Sequence, residues 1–268
     1  MPDNPYWPEK QNRRRYMSKF RDKGIYILPN LFTTASLFAG FMGMLWAMQG
    51  KFEFCASAIL VSCLCDGLDG KVARMTKGSS EFGIQLDSLV DLVAFGVTPA
   101  TMIYFWQTQY VGRVGLVIPF LYIACGALRL ARFNVQAMRT GGVAKRFFIG
   151  LPIPAAACLL ATLVLFVTRF SPEIFQAVLP GWCLGLTLVL ALLMVSKVRY
   201  ASFKELEVVK AHPYTMSVTV VLLFVLVASE PRILGFLFFL AYLFSGPAYT
   251  YAILPLRRGT FLRGLTSR

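Results

Sequence analysis

The sequence predicts an all-α polytopic membrane protein of about eight transmembrane helices, preceded by an N-terminal interfacial segment. Three observations carry that expectation. The chain is 57% hydrophobic with a mean hydropathy of +0.62. It contains successive apolar stretches long enough to cross a bilayer, and its basic residues fall almost wholly in alternate loops. Soluble domains hold about 25% charged residues, against 15% here. The 27 basic residues, set against 13 acidic ones, would suggest nucleic acid in a soluble chain. In so apolar a chain they fit cytoplasmic loops facing anionic membrane lipids, so no nucleic-acid partner is expected.

Crossing about 30 Å of hydrocarbon takes roughly 17–25 helical residues. Stretches of that kind lie at about 26–48, 53–73, 84–106, 114–134, 152–169, 181–197, 213–229 and 232–254. With the N-terminus in the cytoplasm, only Lys51, Arg113, Arg169 and Arg232 of the 27 basic residues face outward. Eight spans therefore obey the positive-inside rule at every loop, with both termini cytoplasmic in a cell membrane. Pro119 interrupts one span, which a membrane helix tolerates. Residues 1–24 mix Trp7, Tyr16, Met17 and Phe20 with basic side chains and read as a surface-lying segment or a plain basic arm. The stretch 135–151 is a second surface-lying candidate. The first apolar run starts near Ile25, after a charged stretch, and is too long for a cleavable signal core. The six cysteines sit in apolar stretches without a Cys-x-x-Cys pair and read as small buried hydrophobes. His212, beside Pro213, has no ligand partner at suitable spacing.

Four aspartates break the apolar pattern. Asp66 and Asp69 lie near the end of the second span, and Asp87 and Asp91 near the start of the third. Spacings of three and four put each pair on one helix face. Asp66 sits about 10 Å from its span's cytoplasmic end at ~1.5 Å per residue, so the four can converge at one depth. A carboxylate deep in a membrane helix costs about 2.5–3.5 kcal/mol, and four together repel. Two hard divalent cations would cancel that charge, and all-oxygen ligation points to Mg²⁺ or Mn²⁺, with Ca²⁺ also possible. Gly67, Gly70 and Ala73 would let a bulky ligand approach the same face. A cation carrier would instead need polar residues along a full path, and the outer halves of the spans contain almost none.

Asp66, Asp69, Gly70, Ala73, Arg74, Gly83, Asp87 and Asp91 fill the pattern D-x-x-D-G-x-x-A-R followed, eight residues on, by G-x-x-x-D-x-x-x-D. In this the chain resembles the CDP-alcohol phosphatidyltransferase family. The resemblance implies a six-helix core at 25–205, a dimetal site, a cytidine diphosphate-linked lipid donor and a homodimer, with residues 206–268 adding two helices and a basic tail. It further implies that Asp66, Asp69 and Asp87 bind metal, while Asp91 acts as general base and can touch metal. The stretches Leu28–Thr33, Asp91–Ala100, Arg129–Asn134, Phe148–Pro154 and Arg199–Lys204 are similar to the integral-membrane branch whose acceptor is L-serine. The implied donor is then CDP-diacylglycerol and the by-product CMP. Glycerol phosphate or inositol phosphate would be the alternative acceptors. By the same resemblance Asn30, Thr33, Gly70, Ala73 and Arg74 would flank the nucleotide. Arg129 and Arg132 would hold the serine carboxylate or the donor phosphate. Thr98 and Asn134 are polar candidates for serine's amino group.

Overall fold

In a computed structural model, residues 30–76, 81–139, 147–169, 178–201 and 231–250 are described; for 73–76, 81, 137–139, 147–149, 199, 201 and 231 this extends to the backbone alone. Helix α1 (Asn30–Met48) closes at Gly50, whose φ of 75° suits a residue without a Cβ. The chain then reverses into α2 (Phe52–Thr76). A continuous helix α3 covers 81–108, followed by a tight turn at Gly112 and α4 (Arg113–Arg139). After strand β1 (Phe147–Ile149) come α5 (Ile153–Arg169), α6 (Leu179–Val195), strand β2 (Arg199–Ala201) and α7 (Pro231–Ala248). Asn30–Met48, Phe82–Thr108 and Arg113–Gln136 are long and apolar enough to cross a membrane, and α5, α6 and most of α7 are shorter apolar helices. The chain is a membrane protein. Large apolar side chains such as Phe38, Phe120 and Trp182 are exposed on the bundle, as a lipid-facing surface requires.

Helix α5 is the axis of the bundle. Its run Ala156–Ala161 is almost wholly buried, and α2 and α7 pack along it while α4 packs on α6. Small residues permit the close approaches. A Cβ on Gly40 would meet the Ala94 backbone at 2.9 Å, and one on Gly43 would meet Thr98 Cγ2 at 3.1 Å, so α1 lies hard against α3.

Among the described residues three prolines lie beyond the first turn of a helix, and each denies an α-helical hydrogen bond to the carbonyl four residues earlier. Pro99 frees Phe95 O, which accepts a bond from the Tyr122 hydroxyl of α4 at 3.1 Å. Pro119 frees Gly115 O, which accepts from Thr108 Oγ1 of α3 at 2.9 Å. Pro247 frees Leu243 O, which accepts from the Tyr200 hydroxyl at 3.4 Å. All three hydroxyl residues are buried. Near these breaks α3 widens into π-helical turns over Leu92–Val97 and Tyr104–Thr108.

The all-helical expectation needs one correction. β1 and β2 pair antiparallel, Phe148 opposite Tyr200, so two three-residue strands stand among the helices. The pairing is anchored by Gly150, whose amide bonds Val198 O at 2.8 Å. Gly150 has φ +83°, and a Cβ there would lie 2.3 Å from Met194 O. Backbone cannot yield as a side-chain tip can, so Gly150→Ala is expected to destabilise the fold by at least about 2 kcal/mol. A lowered unfolding temperature in detergent would show it; an unchanged one would contradict this reading of the turn. The interfacial segment 1–24 and the span at 213–229 lie outside the described residues.

Candidate active site

The end of α2 and the start of α3 meet at the aspartates. Asp66, Asp69 and Asp87 each offer an oxygen, and these oxygens all lie within 4.8 Å of one another, a group suited to a metal among the described residues. Asp91, one helical turn beyond Asp87, is in side-chain hydrogen-bonding contact with Asp66. Asp69 is buried and the other three are half-buried. Among the described residues, Lys71 is exposed and Arg129 half-buried. A donor set made wholly of carboxylates, this crowded, fits hard divalent cations.

Helix α1 braces this cluster. Thr33 Oγ1 donates to Asp69 Oδ2 at 2.9 Å, with both residues buried. One turn on, Ser36 and Ser62 lie Oγ to Oγ at 2.6 Å, and each hydroxyl also reaches the other's carbonyl. Two hydroxyl clasps therefore set α1 against α2 beside the carboxylates. Thr33, expected at the nucleotide, is thus held beside the carboxylates. Asn30 opens α1 half-buried, its carbonyl accepting from Thr34. A Cβ on Gly67 would meet nothing within 4 Å, so α2 is unpacked at that position. The backbone of Gly70, Ala73 and Arg74 continues the helix; the side chains of Ala73 and Arg74 lie outside the described residues.

Helix α4 supplies the opposite wall and separates the two arginines. Among the described residues, the buried Nε of the half-buried Arg129 has no hydrogen-bond partner, and its guanidinium interacts electrostatically with Asp91. Arg132 is exposed, at 3.5 Å from Val195 O at the end of α6. Asn134 donates to Ser88 Oγ at 2.9 Å and Gln85 Oε1 at 3.3 Å, tying α4 to the turn of α3 that carries Asp87. Thr98 does not reach this cluster. It lies seven residues beyond Asp91, about 10 Å along the helix. Its hydroxyl, fully buried, is 3.0 Å from both Gly40 O and Val93 O. The expectation that Thr98 meets an acceptor amino group is corrected: it is a packing residue where α1 crosses α3.

Ser88 and Gln85 escaped the sequence reading because single polar residues at a helix start are unremarkable there.

A helical membrane bundle with a carboxylate quartet at one end, braced by hydroxyls and faced by one half-buried arginine, defines a membrane-embedded enzyme with an acidic site for hard cations. The profile of CDP-alcohol phosphatidyltransferase matches residues 26–193. A CDP-diacylglycerol–serine O-phosphatidyltransferase of Helicobacter pylori is 40% identical over 183 residues, 68% of this chain and 75% of that protein. One of the same name from Methanocaldococcus jannaschii is 37% identical over 147 residues, 55% of this chain and 63% of that protein. The archaetidylserine synthase of Methanothermobacter thermautotrophicus is 34% identical over 176 residues, 65% and 69% of the two chains. The chain belongs to the CDP-alcohol phosphatidyltransferase family.

Proposed function

We propose that this chain transfers the phosphatidyl group of CDP-diacylglycerol to L-serine, giving phosphatidylserine and CMP. The observation that carries the proposal is the close grouping of Asp66, Asp69 and Asp87 with Asp91 in contact. The names borne by the relatives support serine as acceptor. Asp66, Asp69 and Asp87, with Asp91 in reach, would hold one or two Mg²⁺ or Mn²⁺ ions, which when bound supply charge neutralisation for the pyrophosphate. Asp91 accepts the serine hydroxyl proton as that oxygen forms a bond to the phosphorus carrying diacylglycerol. The bond from that phosphorus to the CMP oxygen breaks, and CMP leaves. No covalent enzyme intermediate is needed.

Asn30, Gly70, Ala73 and Arg74 flank the nucleotide in this reading, and Thr33 acts through Asp69. Arg129 is the better placed arginine for serine's carboxylate. Arg132 and Asn134 shape the wall behind it. We further propose eight spans with the site on the cytoplasmic side of the cell membrane, a core at 25–205 and a homodimeric assembly. The span count is supported by direction. Helix α6 ends beside Arg132 on the aspartate face, whereas α7 begins at the Arg232–Glu53 ion pair, at the start of α2 and so on the opposite face. The donor's acyl chains then stay in the inner leaflet while serine and CMP exchange with the cytosol.

The test is an assay of the purified protein with CDP-diacylglycerol, Mn²⁺ or Mg²⁺ and a panel of alcohols. Serine-dependent release of CMP is the expected result. Release with glycerol 3-phosphate or inositol phosphate but not with serine would overturn the choice of acceptor.

A further inference from the structure

The start of α3 has little apolar hold on the rest of the bundle. From Phe82 to Leu89 no side chain is buried, and Phe82, Ile84 and Leu89 are exposed. Val90 is the first core residue among the described side chains of this helix. Helix α1 grips α3 further along, where Gly40 meets Ala94 and Gly43 meets Thr98. Yet Asp87, inside the loosely packed segment, brings an oxygen within 4.8 Å of those of Asp66 and Asp69 on α2. Like charges so close push α3 away from α2.

Asn134 of α4 holds this segment from the side. Its Nδ2 donates to Ser88 Oγ at 2.9 Å and to Gln85 Oε1 at 3.3 Å, and its Oδ1 lies 3.2 Å from the same Ser88 hydroxyl. Gln85 and Ser88 are three residues apart and share one face of α3, about a third of a turn round from the face of Asp87 and Asp91. One carboxamide gripping two adjacent turns restrains rotation as well as distance. A carboxylate stands roughly 5–6 Å from the helix axis, so a rotation of about 20° would carry Asp87 by about 2 Å. Metal–ligand distances hold to about 0.2 Å.

We propose that Asn134 is a positioning residue of the metal site: through Ser88 and Gln85 its carboxamide sets the rotation of α3 that delivers Asp87 to the carboxylate trio. The inference deepens the metal-assisted reading above and rests on it. Polar groups behind metal ligands orient them and sustain metal affinity in this way. An amide suits the task on a membrane helix, because its hydrogen bonds to a neighbouring helix meet little competition from water. Asn134 thus acts on the metal ligands, while Arg129, five residues earlier on α4, faces the ligand.

The experiment titrates Mn²⁺ by calorimetry into the metal-free full chain in lipid–detergent micelles, as wild type, Asn134→Ala, Ser88→Ala and the double variant. Asn134→Ala is expected to weaken Mn²⁺ about tenfold, the low end of the 10–100-fold range for partners of metal ligands. Ser88→Ala, which leaves Gln85 holding the carboxamide, should weaken it about threefold, the loss of one hydrogen bond. The double variant should match Asn134→Ala alone, because residues acting through one contact are not additive. The unfolding temperature without metal should fall by no more than about 4 °C, and at saturating Mn²⁺ the KM for serine should stay within about twofold. An unchanged Mn²⁺ affinity in Asn134→Ala, or losses that multiply in the double variant, overturns the inference. A rise in serine KM with Mn²⁺ binding intact does so too, and would place Asn134 at the acceptor. If Asn134→Ala does not fold, Ser88→Ala decides alone, and an unchanged affinity there is the refutation. If the wild-type protein itself binds no Mn²⁺, the metal reading of the aspartates falls as well, so the two failures are distinguishable.

Discussion

Asp91→Asn is expected to reduce phosphatidylserine formation by about 10³-fold, within the 10²–10⁴ range typical of a lost general base. The substitution keeps size and hydrogen-bonding capacity but removes the group that takes the serine proton. Asp66, Asp69 and Asp87, whose oxygens form the tight trio, remain intact, so Mn²⁺ binding followed by calorimetry should change only a few-fold. Turnover within tenfold of wild type would remove Asp91 as the base. Loss of Mn²⁺ binding in parallel with turnover would make it a metal ligand first.

Asp87→Ala should show the complementary pattern. Losing a member of the trio is expected to weaken Mn²⁺ by more than about 100-fold, since even outer partners of metal ligands cost 10–100-fold. Stability carries a second sign. Without metal, the variant holds one fewer negative charge in a crowded, half-buried cluster, so its unfolding temperature should equal or exceed that of wild type. With Mn²⁺ at 100 times its Kd the wild-type protein gains about 2.7 kcal/mol, and the variant should gain almost none at that concentration. A metal-dependent stabilisation equal to wild type would exclude Asp87 from the site.

The aspartates were legible in the sequence because their signal is local. Spacings of three and four on two adjacent helices place four carboxylates together whatever the rest of the chain does, and apolar surroundings make each one conspicuous. Other features depend on partners far away in sequence. The strand pair joins residues about fifty positions apart through three residues on each side, too short a run to show a period. Arg129 and Arg132 are equivalent by composition and depth. Their difference lies in which face of α4 meets Asp91 and which meets the end of α6. Thr98 looked polar and therefore functional, but a close crossing at Gly40 uses its hydroxyl for packing.

The three proline-freed carbonyls bear on how the chain enters the bilayer. A lone helix delivered into lipid with an uncapped carbonyl carries a penalty of several kcal/mol. Helix α3 needs the Tyr122 hydroxyl of α4 for Phe95 O, and α4 needs the Thr108 hydroxyl of α3 for Gly115 O. Neither is complete alone, so the pair is best released from the translocation machinery as a hairpin. Helix α7 waits on Tyr200 of β2, an element already synthesised, for its own Leu243 carbonyl. Synthesis order and hydrogen-bond demand therefore run in the same direction.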